Sequence, residues 1–143
     1  MQEKFIFYYS AMKGGKTTRI LQKIHDLEEN GQSVLLIKPL VDTKGNDEII
    51  NRQNQTRKVD ILLKPGEKLL SEKYIKDIWY CNHILVDEAQ FLEKEQIDEL
   101  WEINKNINIP ITCFGLKSNF QGALFEGSSH LIAKADEIIE LDS

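Results

Sequence analysis

The residues best equipped for chemistry lie in two short stretches. The first is S-A-M-K-G-G-K-T, Ser10 to Thr17. It departs from the phosphate-loop pattern G-x-x-x-x-G-K-[ST] only at Ser10, which stands where the first glycine usually does. Backbone N–H groups around Lys13–Thr17 can turn inward as an anion nest at a helix N-terminus. Gly14 and Gly15 carry no Cβ, so the main chain can approach phosphates closely. Lys16 would neutralise the β- and γ-phosphates, and the Thr17 hydroxyl would join the coordination of Mg²⁺. The second stretch, I-L-V-D-E (Ile84–Glu88), is an apolar run ending in two carboxylates. Asp87 is assigned to Mg²⁺ and Glu88 to general-base work on an attacking hydroxyl or water. Together the stretches describe one ATP·Mg²⁺ site. Hydrolysis of ATP and transfer of its phosphate to an acceptor fit the spacing equally well.

Such a site needs strands to hold it and a helix to point at it. Lys4–Tyr9 reads as a strand without polar alternation, as expected where both faces are covered. Thr17–Asn30 places Ile20, Ile24 and Leu27 at helical spacing, with Leu21 widening the stripe and Gly31 suited to the left-handed position after a helix. Ser33–Lys38 is a second strand, ended by Pro39. Polar residues from Val41 to Lys58 predict a long mobile loop. Val59–Leu63 reads as a short strand, with a turn at Pro65-Gly66. Leu69–Trp79 reads as a helix burying some of Leu70, Tyr74, Ile78 and Trp79. His83–Val86 is a strand, Lys94–Asn106 a helix and Ile111–Phe114 a strand. Gly115–Gly127 reads as a functional loop, Ser128–Lys134 as a short helix and Glu137–Leu141 as a last strand. The alternation predicts an α/β fold: a mainly parallel sheet flanked by helices, in one phosphate-loop domain over residues 1–143.

Composition excludes several other classes. The 143 residues are 41% apolar, enough for one core, and the net charge of −5 gives no bulk positive field for nucleic acid or anionic membrane. No apolar run approaches the roughly 20 residues of a bilayer crossing, and no signal-peptide pattern opens the chain. Cys81 and Cys113 are far apart beside apolar runs, which predicts buried reduced thiols in a soluble cytoplasmic protein. His25, His83 and His130 are scattered, so no structural zinc set is expected.

Three blocks, F-Y-Y-S-A-M-K-G-G-K-T-T, L-V-D-E-A-Q-F-L and F-G-L-K-S-N-F-Q-G-A-L-F-E-G-S, closely resemble the phosphate-loop (type II) thymidine kinases. Their order and span cover nearly the whole chain, and serine at position 10 occurs in some members. The resemblance implies a RecA-like core that transfers the γ-phosphate of ATP to the 5′-hydroxyl of thymidine or deoxyuridine in nucleotide salvage. It implies Glu88 as proton acceptor, with Lys16 and Lys44 assisting transfer. Ser10, Ala11, Met12, Lys13, Gly14, Gly15, Lys16 and Thr17 would hold the nucleotide, along with Asp87, Glu88, Ala89 and Gln90. Asp42 would lie near the acceptor sugar, and Met12, Phe91, Leu116, Phe120 and Phe125 would line the base pocket, with Phe120 stacked on the pyrimidine. It also implies homo-oligomers, tetramers in the family. The chain departs from the common pattern at Lys44 and Lys117, where arginine is usual, and at Asn119, where aspartate is usual. Lysine keeps the charge and loses the planar fork. Family members continue into a zinc-bound segment and a lasso loop, which these residues lack. The ATP half is therefore expected to be intact and the thymidine half incomplete, leaving a slow ATPase or a nucleotide-binding module as the alternative to a kinase.

Overall fold

Strands that are apolar at every position need cover on both faces, and a computed structural model of the protein provides it. The structure describes residues 1–10, 15–41 and 47–141. Its strands are β1 (Phe5–Ser10), β2 (Val34–Pro39), β3 (Glu48–Ile50), β4 (Thr56–Lys58), β5 (Ile61–Leu63), β6 (His83–Val86), β7 (Ile111–Leu116) and β8 (Glu137–Glu140). The helices are α1 (Lys16–Glu29), α2 (Ile75–Tyr80), α3 (Lys94–Glu102) and α4 (Glu126–Lys134). Six strands form one sheet in the order β5-β2-β6-β7-β1-β8, and every pairing in it is parallel. Alternate side chains divide the core. Leu36, Leu85 and Phe114 pack with Ile20 and Ile24 of α1, while Phe5, Phe7, Ile37, Ile84 and Val86 pack with Ile97, Leu100 and Leu131 of α3 and α4. No described helix is long and apolar enough to cross a membrane.

Several expectations need correction. The stretch read as one loop from Val41 to Lys58 contains the antiparallel hairpin β3–β4, with Ile49 opposite Arg57. Its turn is closed by the Asn51 side chain, whose Oδ1 accepts from the Gln53 and Gln55 amides, and by Asn54 at φ 62°. The helix expected from Leu69 begins only at Ile75. The Glu99 carboxylate accepts the Leu69 and Leu70 amides at 2.7 and 3.0 Å, holding that segment outside a helix. Tyr74 and Ile78 are buried, whereas Leu70 and Trp79 are exposed. The helix from Lys94 ends as a π turn over Ile103–Ile107, and Asn104 is buried there, donating to the carbonyls of Glu3 and Ile109. Finally, β7 runs on through Gly115 and Leu116, so the loop after it is shorter than the sequence suggests.

Candidate active site

In a parallel sheet, groups that meet a ligand gather beyond the carboxyl ends of the strands. Here β1 and β6 end on the same edge with β7 between them. After Ser10, which is buried, Gly15 takes the left-handed conformation at φ 63° and opens α1. A side chain at that φ would be strained, which accounts for a glycine there. Lys16 follows as the first helical residue, and the first turn of α1 contains no acid. The positive end of that helix is therefore left for an external anion. Thr17 is half-buried on the same turn.

The acids arrive from β6, two strands away from β1. The Asp87 amide donates to the Ile37 carbonyl at 2.9 Å, which prolongs the ladder by one residue and fixes the carboxylate. Lys16 Nζ lies 3.0 Å from Asp87 Oδ1 and 3.1 Å from Glu88 Oε2. Lys16 is only 5% exposed. Neither contact has the alignment of a hydrogen bond, so the ammonium acts as a point charge between the acids. One ammonium thus stands between the two carboxylates. Glu88 sits at φ 52°. That conformation costs a non-glycine residue on the order of 1–3 kcal/mol, and it turns the side chain out of the strand direction. Its amide donates to Asp87 Oδ1 at 2.8 Å.

Gln90 braces the turn. It is 3% exposed, with Nε2 donating to Glu88 Oε2 at 2.7 Å and Oε1 accepting the Leu116 amide at 3.1 Å. Two glycines make space for it. A Cβ at Gly115 would fall 2.7 Å from Gln90 Oε1, and one at Gly127 would collide with the Gln90 carbonyl and lie 2.9 Å from Leu92 O. The Leu116 carbonyl in turn accepts from the Ser128 hydroxyl. Ala89, between the acids and Gln90, is fully buried.

Beside this turn, Phe91 and Phe125 meet edge to face with ring centroids 5.6 Å apart. Leu116 is half-buried beside this turn, and Phe91 remains 42% exposed. Phe120 is 97% exposed, at the tip of a turn built by Asn119. Asn119 Oδ1 accepts the amides of Gln121 and Ala123, a role that an aspartate oxygen would fill equally well. Lys117 Nζ lies 5.2 Å from the centre of the Tyr9 ring. Ala11, Met12, Lys13, Gly14, Asp42 and Lys44 lie outside the described residues.

Hard oxygen donors from the Thr17 hydroxyl and the Asp87 carboxylate suit Mg²⁺. Among the described residues no cluster of three His, Cys, Asp or Glu side chains is arranged for a metal ion. The histidines have other surroundings: His25 pairs with Glu29 at 3.8 Å, His130 with Asp98 at 2.6 Å, and buried His83 meets Thr112 Oγ1 at 3.0 Å. Cys81 and Cys113 are free and buried, and burial pushes the Cys81 thiol up to about 11.

The family model described as thymidine kinase matches residues 3–143. A thymidine kinase of Xanthomonas axonopodis pv. citri (strain 306) is 38% identical over 140 residues, covering 96% of this chain and 67% of its own length. The thymidine kinase of Enterobacteria phage T4 is 39% identical over 140 residues, covering 95% and 71%. That of Zymomonas mobilis subsp. mobilis is 37% identical over 143 residues, covering 98% and 73%. A crystal structure of Bacteroides Pif1 bound to ssDNA superposes with a TM-score of 0.56 at 14% identity, over 99% of this chain and 39% of that one. At that identity the likeness is one of fold alone.

Proposed function

The chain belongs to the thymidine kinase family, and on that premise we propose that it transfers the γ-phosphate of ATP to the 5′-hydroxyl of thymidine or deoxyuridine, with Glu88 as the base. The observation that carries this reading is the buried Lys16 held within 3.1 Å of both Asp87 and Glu88 at the start of α1. A polyphosphate at that helix end would compete with the carboxylates for the same ammonium. Drawn toward the phosphates, Lys16 would stabilise the charge that spreads over the transferred group. Glu88 would then accept the proton of the 5′-hydroxyl as its oxygen bonds to phosphorus and ADP leaves. Thr17 and Asp87 would hold Mg²⁺, whose chemistry here is to neutralise the phosphate oxygens. Phe91 and Phe125, with Leu116, Phe120 and Met12, would cover the base, and Asp42 and Lys44 would serve the sugar and phosphates. The setting is the cytoplasm, where ATP is abundant and the thiols of Cys81 and Cys113 stay reduced. Homo-oligomers are expected, and light scattering checks them.

The test is ADP release measured with and without thymidine. Glu88→Gln should lower the thymidine-dependent rate by about 10²–10⁴-fold, the usual scale for general-base catalysis, while ATP affinity is retained. Equal ADP release with and without a nucleoside in the unmutated protein would reject the nucleoside acceptor and leave an ATPase.

A further inference from the structure

Gln90 brings no charge and no nucleophile, and the reaction as described makes no use of it. Its surroundings are nevertheless closely determined. A primary amide has a donor end and an acceptor end, and both ends are engaged here, on two different elements. Nε2 donates to Glu88 Oε2 at 2.7 Å, and Oε1 accepts the amide of Leu116 at the end of β7, 3.1 Å away. The side chain is buried, with Gly115 packed close against its Oε1, while Gly127 packs on the backbone carbonyl of the same residue.

We propose that Gln90 is a positioning residue: it fixes the Glu88 carboxylate and ties its direction to the end of β7. The Oε2 atom that Gln90 holds is the one that Lys16 approaches at 3.1 Å. Once a polyphosphate draws Lys16 away, the carboxylate loses that cation. The amide of Gln90 remains as a neutral donor, keeping Glu88 aimed without suppressing its basicity as a second cation would. An unbraced glutamate rotates about three side-chain bonds, and misplacement of a catalytic group by about 1 Å can cost a hundredfold in rate. The acceptor end carries the second half of the proposal. The Leu116 peptide is held on its N–H side by Gln90 and on its carbonyl side by the Ser128 hydroxyl. It opens the segment that bears Phe120 and Phe125. The same amide thus joins the base to the segment assigned to the nucleoside.

This proposal rests on Glu88 being the base, so its test includes a readout that needs no turnover. Gln90→Glu keeps an oxygen to accept the Leu116 amide and removes the donor, whereas Gln90→Met removes both. The measurements are kcat, KM for ATP, the pH profile of kcat, the melting temperature, and the ¹³C titration of the Glu88 carboxyl, assigned by its loss in Glu88→Gln. In both variants kcat should fall by about tenfold to a hundredfold, with KM for ATP within about twofold of the unmutated value. The Glu88 titration and the acid limb of the profile should move to higher pH in both variants, because a donor to the ionised form has been lost. They should move further in Gln90→Glu, where a second carboxyl group stands beside Glu88. A lower melting temperature with kcat and titration unchanged would reduce Gln90 to a structural role and overturn the proposal. So would a raised KM for ATP with kcat unchanged, which would make Gln90 a nucleotide ligand. If the unmutated protein shows no nucleoside-dependent turnover, the proposed reaction falls, and the carboxyl titration still decides whether Gln90 holds Glu88.

Discussion

A glutamate in the left-handed region is held there by its neighbours rather than by its own preference. Glu88, at φ 52°, is fastened through its amide to Asp87 and through its carboxylate to Gln90. Strain and chemistry can be separated by substitution. Glu88→Gly and Glu88→Ala should both abolish nucleoside-dependent turnover, yet the glycine variant should be more stable by about 1 kcal/mol, because glycine adopts this φ freely. Urea unfolding of the two proteins gives that difference directly. His83, at the opposite end of the sheet from the carboxylates, supplies a pH-dependent term. Its burial, with a smaller repulsion from Lys23, pushes its pKa down to about 4. The unfolded chain therefore takes up a proton as the pH falls below the ordinary histidine value of about 6.5, while the folded chain stays neutral until about pH 4. Stability from this residue is complete above that ordinary value and is lost as the pH falls through the window. Between pH 7 and about pH 4.5 the protein should lose about 2 kcal/mol more than His83→Gln does, read from urea midpoints at the two pH values.

Two elements meet closely where α4 crosses the turn after β6. Gly127 packs against the Gln90 carbonyl with no room for a methyl group, and its φ is not in the left-handed region, so the demand there is for space. Gly127→Ala should destabilise the fold by about 1–3 kcal/mol, as overpacking does, and should lower kcat by displacing Gln90. Melting temperature and turnover measured on one preparation check both parts. The contrast between what could and could not be read from the sequence follows from the range of the interactions. β1, α1 and β6 were legible because unbroken apolar strands, a helical stripe and a Gly-Gly-Lys-Thr junction are local patterns. The hairpin β3–β4 was not, since three-residue strands reading E-I-I and T-R-K offer one buried side chain, Ile49, and depend on Asn51 to close the turn. The late start of α2 was hidden because Glu99 lies 30 positions from the amide of Leu69 that it captures. In the site, the two sequence stretches placed Lys16, Asp87 and Glu88 together, and Lys16 Nζ lies within 3.1 Å of both carboxylates. The bracing by Gln90 was missed, as its partner Leu116 is 26 positions away, and the nearby glycines at 115 and 127 were its only trace.

For the molecule as a whole, the sheet order matters more than any single contact. Placing β7 between β1 and β6 sets their carboxyl ends two strand spacings apart, about 10 Å, on one edge of the sheet. A ligand that bridges strands binds only the folded chain. Mg-ATP at about a hundred times its Kd should therefore add about 2.7 kcal/mol, a rise of roughly 5–10 °C in melting temperature. Thermal denaturation with and without Mg-ATP measures it, and in Lys16→Ala the rise should disappear. The same order governs how the fold is assembled. β1 has no partner close by in the chain: Phe5 pairs with Ile111, and Ile6 with Glu137. During synthesis β1 must wait, apolar and unpaired, until more than a hundred further residues have been added. The cluster at the strand ends is thus a late event in biogenesis, and the nascent chain has a long interval in which β1 is exposed apolar surface open to chaperones.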